Sequence, residues 1–494
     1  MTGHTPLFPG REGAGPTLAI PRAKNGTPAR LVTIFGGSDP EGGKRAHYIF
    51  DVGEPSYAEI VLPADEPLLS LAHQAPAAAW HERELRDQYG VEIVGHPDPR
   101  PLIFHGNWPD GVHPMVDPVD GVPWANRDYH FLEVRGEGIA EVAVGPVHAG
   151  IIEPGHFRFS VVGDTVLHLE LRHFYTHKGT EKLFEGSSIA DGVMLAESVS
   201  GGNCFAHAVC YSQAAENACG IEAPARASAI RLIGLELERL VCHISDVGGL
   251  CTDVGFSVAA AYATRIKESL LQASAQCCGT RYWRGIAVPG GLRHDFDSRK
   301  VLELSQAVAR AHDDFSDVAR QIVETPSIQN RFETAGILKL EASRDLAVVG
   351  VVARSSGIDM DVRRDHPYAR YDHYSFEVPV THYGDVMARA RIRIAEAATS
   401  ARLIQEAARS LPDGSVSVPV RADGEMRGSS AVESPRGELY YWLEARDGGL
   451  VRCHIKSPSF QNWPAMPFAV AGNIIADFPL INKSFNLSYS GCDR

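Results

Sequence analysis

The segment SAIRLIGLELERLVCHISDVGGL, residues 228–250, sets Ile230, Ile233, Leu237, Leu240, Val241 and Ile244 three or four residues apart. That is the α-helical period, and an apolar stripe of that width has to be buried against something. The pair Gly248 and Gly249 predicts the end of the helix. Two further segments have the same character: SRKVLELSQAVARAHDDFSDVARQIVE (298–324) and YGDVMARARIRIAEAATSARLIQEAARS (383–410). Three long amphipathic helices each need a partner for the apolar face, so the chain must contain a body of packed helices.

The rest of the chain is patterned differently. RLVTIFGG, AHYIFDV and YAEIVLP, between residues 30 and 63, are short, rich in β-branched and aromatic residues and separated by Gly, Asp, Pro and Ser. They predict antiparallel strands. PAAAWHERELRDQYG (76–90) follows as a helix with Gly90 as its stop. A Pro-dense tract leads to a second strand set over about 129–172 (YHFLEVRGEG, IAEVAVGP and HFRFSVVGDTVLHLELR), and GELYYWLEARDGGLVRCHIKS (437–457) predicts a late hairpin turning at DGG. The fold class is therefore α+β. A Gly- and Pro-rich arm is expected over 1–28, a small α+β domain over 29–105, a linker over 106–128 and a mainly helical body with an antiparallel strand layer over 129–494.

A formal charge of −14 argues against a nucleic-acid or anionic-lipid partner, since both require a cationic face. The nine cysteines are odd in number and scattered, as reduced thiols are. No stretch reaches the roughly 20 apolar residues of a membrane span, so the chain itself is expected to be soluble, which leaves docking onto a membrane subunit open. No GxGxxG or Walker-type loop is present, so nucleotide binding by this chain is not expected.

Several stretches carry a family resemblance. ERELRDQYGVEIVGHPDPR (82–100) resembles the hydrophilic C-type component of complex I. GPVHAGIIEPGHFRFSVVGD (145–164), LELRHFYTHKGTEKLFEG (169–186), ELERLVCHISDVGGLCTDVGF (236–256) and VARSSGIDMDVRRDHPYARYDHYSFEVPV (352–380) resemble its D-type, quinone-site component and the large subunits of energy-converting nickel-iron hydrogenases. ESPRGELYYWLE (433–444) and RCHIKSPSF (452–460) do so too, and the fused arrangement is similar to the formate-hydrogenlyase type. In those hydrogenases two Cys-x-x-Cys pairs hold the metals, because soft thiolates bridge nickel and iron. Aligned on Phe205-Ala206-His207, the first pair falls on Ser200 and Asn203; aligned on Asp493-Arg494, the second falls on Ser488 and Gly491. No metal is expected there. Cys204 and Cys492 lie one residue past a ligand position, which re-aims the side chain.

The resemblance implies a redox subunit of a membrane complex, paired with an iron-sulfur small subunit and antiporter-like membrane subunits, on the cytoplasmic side of the inner membrane. Electrons would reach a quinone or another small acceptor, coupled to ion movement. The alternatives are a genuine nickel-iron hydrogenase and a non-catalytic coupling subunit. Complex I places a Tyr and a His at the quinone headgroup; here Ser198 stands at the position matched to the Tyr, and His148 and His156 lie in the corresponding loop. His148, His156, Arg354 and Asp359 are the candidate catalytic residues. Ser198, Ser200, Gly202, Asn203, Ser488 and Gly491 are expected to shape the cavity, with the glycines beside Ser200 adopting positive φ so that main-chain amides can approach a substrate. Glu236, Arg239 and His243 share one helix and are candidates for a proton relay. His207, Glu216 and Asn217 read as packing and capping residues.

Overall fold

The computed structural model describes residues 18–39, 42–53, 57–149 and 152–494. Most of the arm expected over 1–28 lies outside the described residues. β1 (Arg30–Ser38), β2 (Lys44–Asp51) and β3 (Tyr57–Pro63) form an antiparallel sheet in the order β1-β2-β3. α1 (Ala78–Tyr89) packs on β1 and ends at Gly90, whose left-handed conformation lets its N–H cap the Arg86 carbonyl. Gly36 explains how closely helix and sheet meet, since a Cβ there would lie 2.3 Å from the Tyr89 ring.

β4 (Ile139–Val144), β5 (His156–Val162) and β6 (Thr165–Arg172) make a second antiparallel sheet. The strand expected from Tyr129 does not form. The Leu132 N–H donates to the Glu170 carboxylate at 2.7 Å instead of to a ladder carbonyl, while the Arg172 and Arg158 guanidinium groups stack 4.2 and 4.1 Å from the Tyr129 and Phe131 ring centres.

The helical body begins with α2 (Gly192–Ser198) and α3 (Cys204–Cys219). α4 (Ala225–Asp253), α5 (Ser257–Cys278), α6 (Ser298–Glu324) and α7 (Val386–Arg409) close a four-helix array, in which α4 and α6 each pack against both α5 and α7. α4 does not stop at Gly248 and Gly249. Both are helical because bare backbone is what fits there: a Cβ on Gly248 would meet Ala263 of α5 at 2.7 Å, and one on Gly249 would meet the Lys483 stem at 2.3 Å. The glycines serve close packing, which outweighs their helix-ending tendency.

β7 (Glu425–Ser434), a strand the sequence pattern did not announce, joins β8 (Gly437–Arg446) and β9 (Gly449–Lys456) in a third antiparallel sheet that covers α3. The chain finishes in α8 (Phe478–Phe485) and the short turn α9 (Tyr489–Asp493). The N-terminal sheet is not an isolated module. Val32, Phe35 and Ile49 share a core with Val362, Tyr440 and Trp442, and the Arg30 guanidinium reaches the buried Glu438 at 2.7 Å. No helix among the described residues is long and apolar enough to cross a membrane.

Candidate functional site

The two segments that the resemblance singled out meet, although 288 residues separate Ser200 from Ser488. Ser200 lies in the turn between α2 and α3, and Ser488 is the N-cap of α9. The Ser200 hydroxyl donates to the Ser488 Oγ at 3.1 Å, and the same Ser488 oxygen accepts the Gly491 N–H at 2.9 Å. A Cβ on Gly491 would lie only 3.0 Å from Ser488 Cβ and 3.3 Å from Ser200 Cβ. The four positions thus offer two hydroxyls, one amide and bare backbone, and Ser200, Ser488 and Gly491 are drawn together until they touch. Asn203 is 1 % exposed and its Oδ1 has no partner.

Asn203 is the N-cap residue of α3 without making a side-chain cap; that work falls to Glu238 of α4, which accepts from Phe205 N at 2.8 Å and Ala206 N at 3.0 Å. Burial pushes the Glu238 carboxyl up to about 7, against the pull of those two amides and of Arg436 and Arg239. The cysteines beside these positions, Cys204 and Cys492, are both buried. Cys204 Sγ faces the Tyr282 carbonyl at 3.5 Å, and burial raises its thiol to about 12. Among the described residues no group of three or more His, Cys, Asp or Glu is arranged to hold a metal.

Open space lies on the other side of this turn. A cavity of about 350 Å³ is lined by Gly201, Gly202, Glu238, Cys242, Arg436 and Lys483, among others. Neither Gly201 nor Gly202 has positive φ, contrary to expectation. What Gly202 supplies is room, because a Cβ there would lie 2.9 Å from both terminal nitrogens of Arg436. Arg436 belongs to the two-residue turn joining β7 to β8, where Ser434 pairs with Gly437. It sits in ESPRGELYYWLE, and nothing in that motif distinguishes it as a site residue from the other arginines of the sequence.

The remaining candidates separate into three groups. Ser198 ends α2 with its exposed hydroxyl turned back onto the Leu195 carbonyl, so it does not join Ser200 and Ser488. His148 and His156 flank a loop that includes residues 150 and 151, outside the described set. His148 Nε2 is occupied by the Gly155 carbonyl at 2.8 Å, whereas His156 keeps a buried, unpartnered Nε2. The loop does reach the frame, because Glu153 accepts the Ser490 N–H at 2.9 Å.

Glu236, Arg239, His243 and Arg354 form one buried cluster with Asp361, Arg363, Glu396 and Glu433, none more than 1 % exposed. Glu396 accepts from His243 and Arg354, each at 2.8 Å; Arg354 also reaches Glu433 at 2.9 Å, and Arg363 reaches Glu236 at 3.1 Å. Burial would raise Glu236 and Glu396, but the adjacent arginines outweigh it and hold both carboxyls below the usual range. Asp359 lies elsewhere, exposed on the surface and paired with Arg364 at 2.6 Å. His207 meets the Tyr441 hydroxyl, Glu216 holds Arg231, and Asn217 caps the Ser429 carbonyl, so all three serve packing.

Comparison with known proteins accounts for both parts of the chain. The family of the respiratory-chain NADH dehydrogenase 30 Kd subunit matches residues 27–121, and that of the 49 Kd subunit matches residues 253–427 and 420–494. Formate hydrogenlyase subunit 5 of Escherichia coli is 33 % identical over 439 residues, covering 86 % of this chain and 76 % of the relative. The carbon monoxide-induced hydrogenase of Rhodospirillum rubrum is 31 % identical, over 72 % of this chain and 99 % of its own length. Among solved structures, a chain of the membrane-bound sulfane sulfur reductase, an archaeal respiratory membrane complex, superposes with a TM-score of 0.68 at 25 % identity, covering 72 % of this chain and 99 % of that one.

Proposed function

From the premise that this chain belongs to the complex I 30-kDa/49-kDa subunit family in its fused form, alongside hydrogenase large subunits, we propose that it is the large subunit of a membrane-associated redox complex that reduces a small acceptor without a nickel-iron centre. The observation that carries this reading is the contact of Ser200 with Ser488 at 3.1 Å, closed further by Gly491. Protonated hydroxyls and a neutral amide are hard donors, and nickel in such a frame is held by anionic sulfur. The donor set does not fit the metal.

Electrons then come from an iron-sulfur cluster in a partner subunit and go to a quinone-like or other small acceptor in the cavity beside Gly201 and Gly202. Antiporter-like membrane partners move the ion. The buried cluster of Arg239, Arg354 and Arg363 with four carboxylates supports a coupling role, because any change of charge near it is felt strongly at low dielectric. The solved relative is a sulfane sulfur reductase, so sulfur compounds belong in the assay beside quinones.

The test is purification of the tagged complex from membranes. Iron without stoichiometric nickel, no hydrogen evolution from reduced viologen, and reduction of one of these acceptors by membrane vesicles are expected. One nickel per chain with hydrogen evolution would overturn the reading.

A further inference from the structure

Resting on the reading that this chain reduces a small acceptor, we propose that the cavity beside Gly201 and Gly202 is an anion site, and that its acceptor is a small anion held by Arg436 and Lys483.

Arg231 and Arg363 of this fold rest on carboxylates at 2.6 Å and Arg354 at 2.8 Å. Arg436 makes no salt bridge among the described residues, and the two carboxylates that face it, Glu238 and Asp246, are held by other partners. The Arg436 Nε donates to the Asn486 carbonyl at 2.6 Å, its Nη1 is buried with no partner, and its free edge overhangs Gly202 at the cavity wall. An unsatisfied guanidinium nitrogen is costly to bury, and a ligand that accepts its hydrogen bond recovers that cost.

Lys483 doubles the charge. Its Nζ donates to Asn486 Oδ1 at 3.1 Å, and no carboxylate pairs with it among the described residues. Asn486, in the left-handed region at φ 52°, therefore holds Arg436 by its carbonyl and Lys483 by its side-chain oxygen. Two cations fixed to one residue repel each other, and Asp246, the carboxylate that attracts both, is shared with Arg393, so a further anion relieves the remaining repulsion.

The acidic groups of the wall are already engaged. Glu238 caps α3, and Asp246 takes Arg393 at 3.2 Å and the Asn486 amide. A third cation, Arg281, is taken by Glu268 at 2.6 Å. Lys267 lines the wall as well, and the wall cations without a salt bridge among the described residues are Lys267, Arg436 and Lys483, of which the last two converge on Asn486. A volume of about 350 Å³ lies at the small end of ligand pockets, which suits an anion of a few heavy atoms.

Sodium thiosulfate serves as the probe dianion, titrated by calorimetry into the purified complex, with dimethyl sulfoxide as the uncharged control. Binding near one per chain is expected, weakening as salt is added. Arg436→Gln should lower the affinity at least tenfold, Lys483→Gln several-fold, and Arg436→Lys should retain part of it. Lys483→Gln keeps the test decisive if Arg436→Gln fails to assemble. No thiosulfate binding to the wild type, or wild-type affinity in both glutamine variants, overturns the proposal. The redox reading fails separately: binding with this charge dependence but no acceptor reduced by vesicles leaves the anion site standing, whereas turnover of an uncharged quinone without anion binding does the reverse.

Discussion

Arg239 donates from Nη1 to the Ser434 carbonyl at 3.0 Å, so a guanidinium buried in the helical array grips the turn that carries Arg436. A second nitrogen of the same group takes the Glu433 carbonyl, and Glu433 in turn holds Arg354 through its carboxylate. The ion cluster in the core and the cavity at the edge are one mechanical unit. Its carboxylates and arginines are paired, which makes removal of a single member expensive.

Arg239→Gln is expected to destabilise the chain by about 3–5 kcal/mol, the range for breaking one partner out of a buried ion pair. Thermal unfolding of the purified complex measures it. A melting temperature equal to wild type would mean that the turn is held by other contacts.

Gly202→Val should assemble normally, because Gly202 is exposed and has ordinary φ. The added side chain meets the Arg436 guanidinium, which must swing away from the cavity. Acceptor reduction in membrane vesicles should fall at least tenfold while complex yield is kept. Wild-type turnover would refute this account of the glycine.

Anion affinity should fall as pH rises through about 7, where the Glu238 carboxyl loses its proton. The sign follows from geometry. Glu238 is faced by Arg436 and Arg239 and by the Phe205 and Ala206 amides, and its ionisation adds a negative charge to the cavity that holds Arg436. Glu238→Gln should flatten the profile. Calorimetric titration at pH 6 and pH 8 compares the two, and an unchanged slope in the variant would assign the pH dependence to another group.

Cysteines restored at positions 200, 203, 488 and 491 should not recreate a nickel centre. A side chain at Gly491 enters a space where Ser488 and Ser200 stand 3.0 and 3.3 Å away, so the frame must open before metal could enter. The quadruple variant should melt below the wild type and bind no nickel by elemental analysis. Stoichiometric nickel would show that the frame expands readily.

The helices over 298–324 and 383–410 and the first three strands were legible in the sequence because local periodicity is set by which face must be buried. The resemblance to the C-type and D-type components of complex I was legible too, in long motifs that each keep their own spacing, and it named Ser200, Asn203, Ser488 and Gly491 as one frame. What those residues do to one another was not. Only the tertiary structure brings Ser488 onto Ser200, shows that a Cβ at Gly491 would crowd both, and moves the free volume to the Gly202 side. It also decided that α4 runs through Gly248 and Gly249, that Asp359 faces solvent while Arg354 is buried, and that Arg436 makes no salt bridge among the described residues. Periodicity records which side of an element is apolar. Pairing of charges, closeness of backbones and the size of a cavity depend on elements hundreds of residues apart, and no local pattern encodes them.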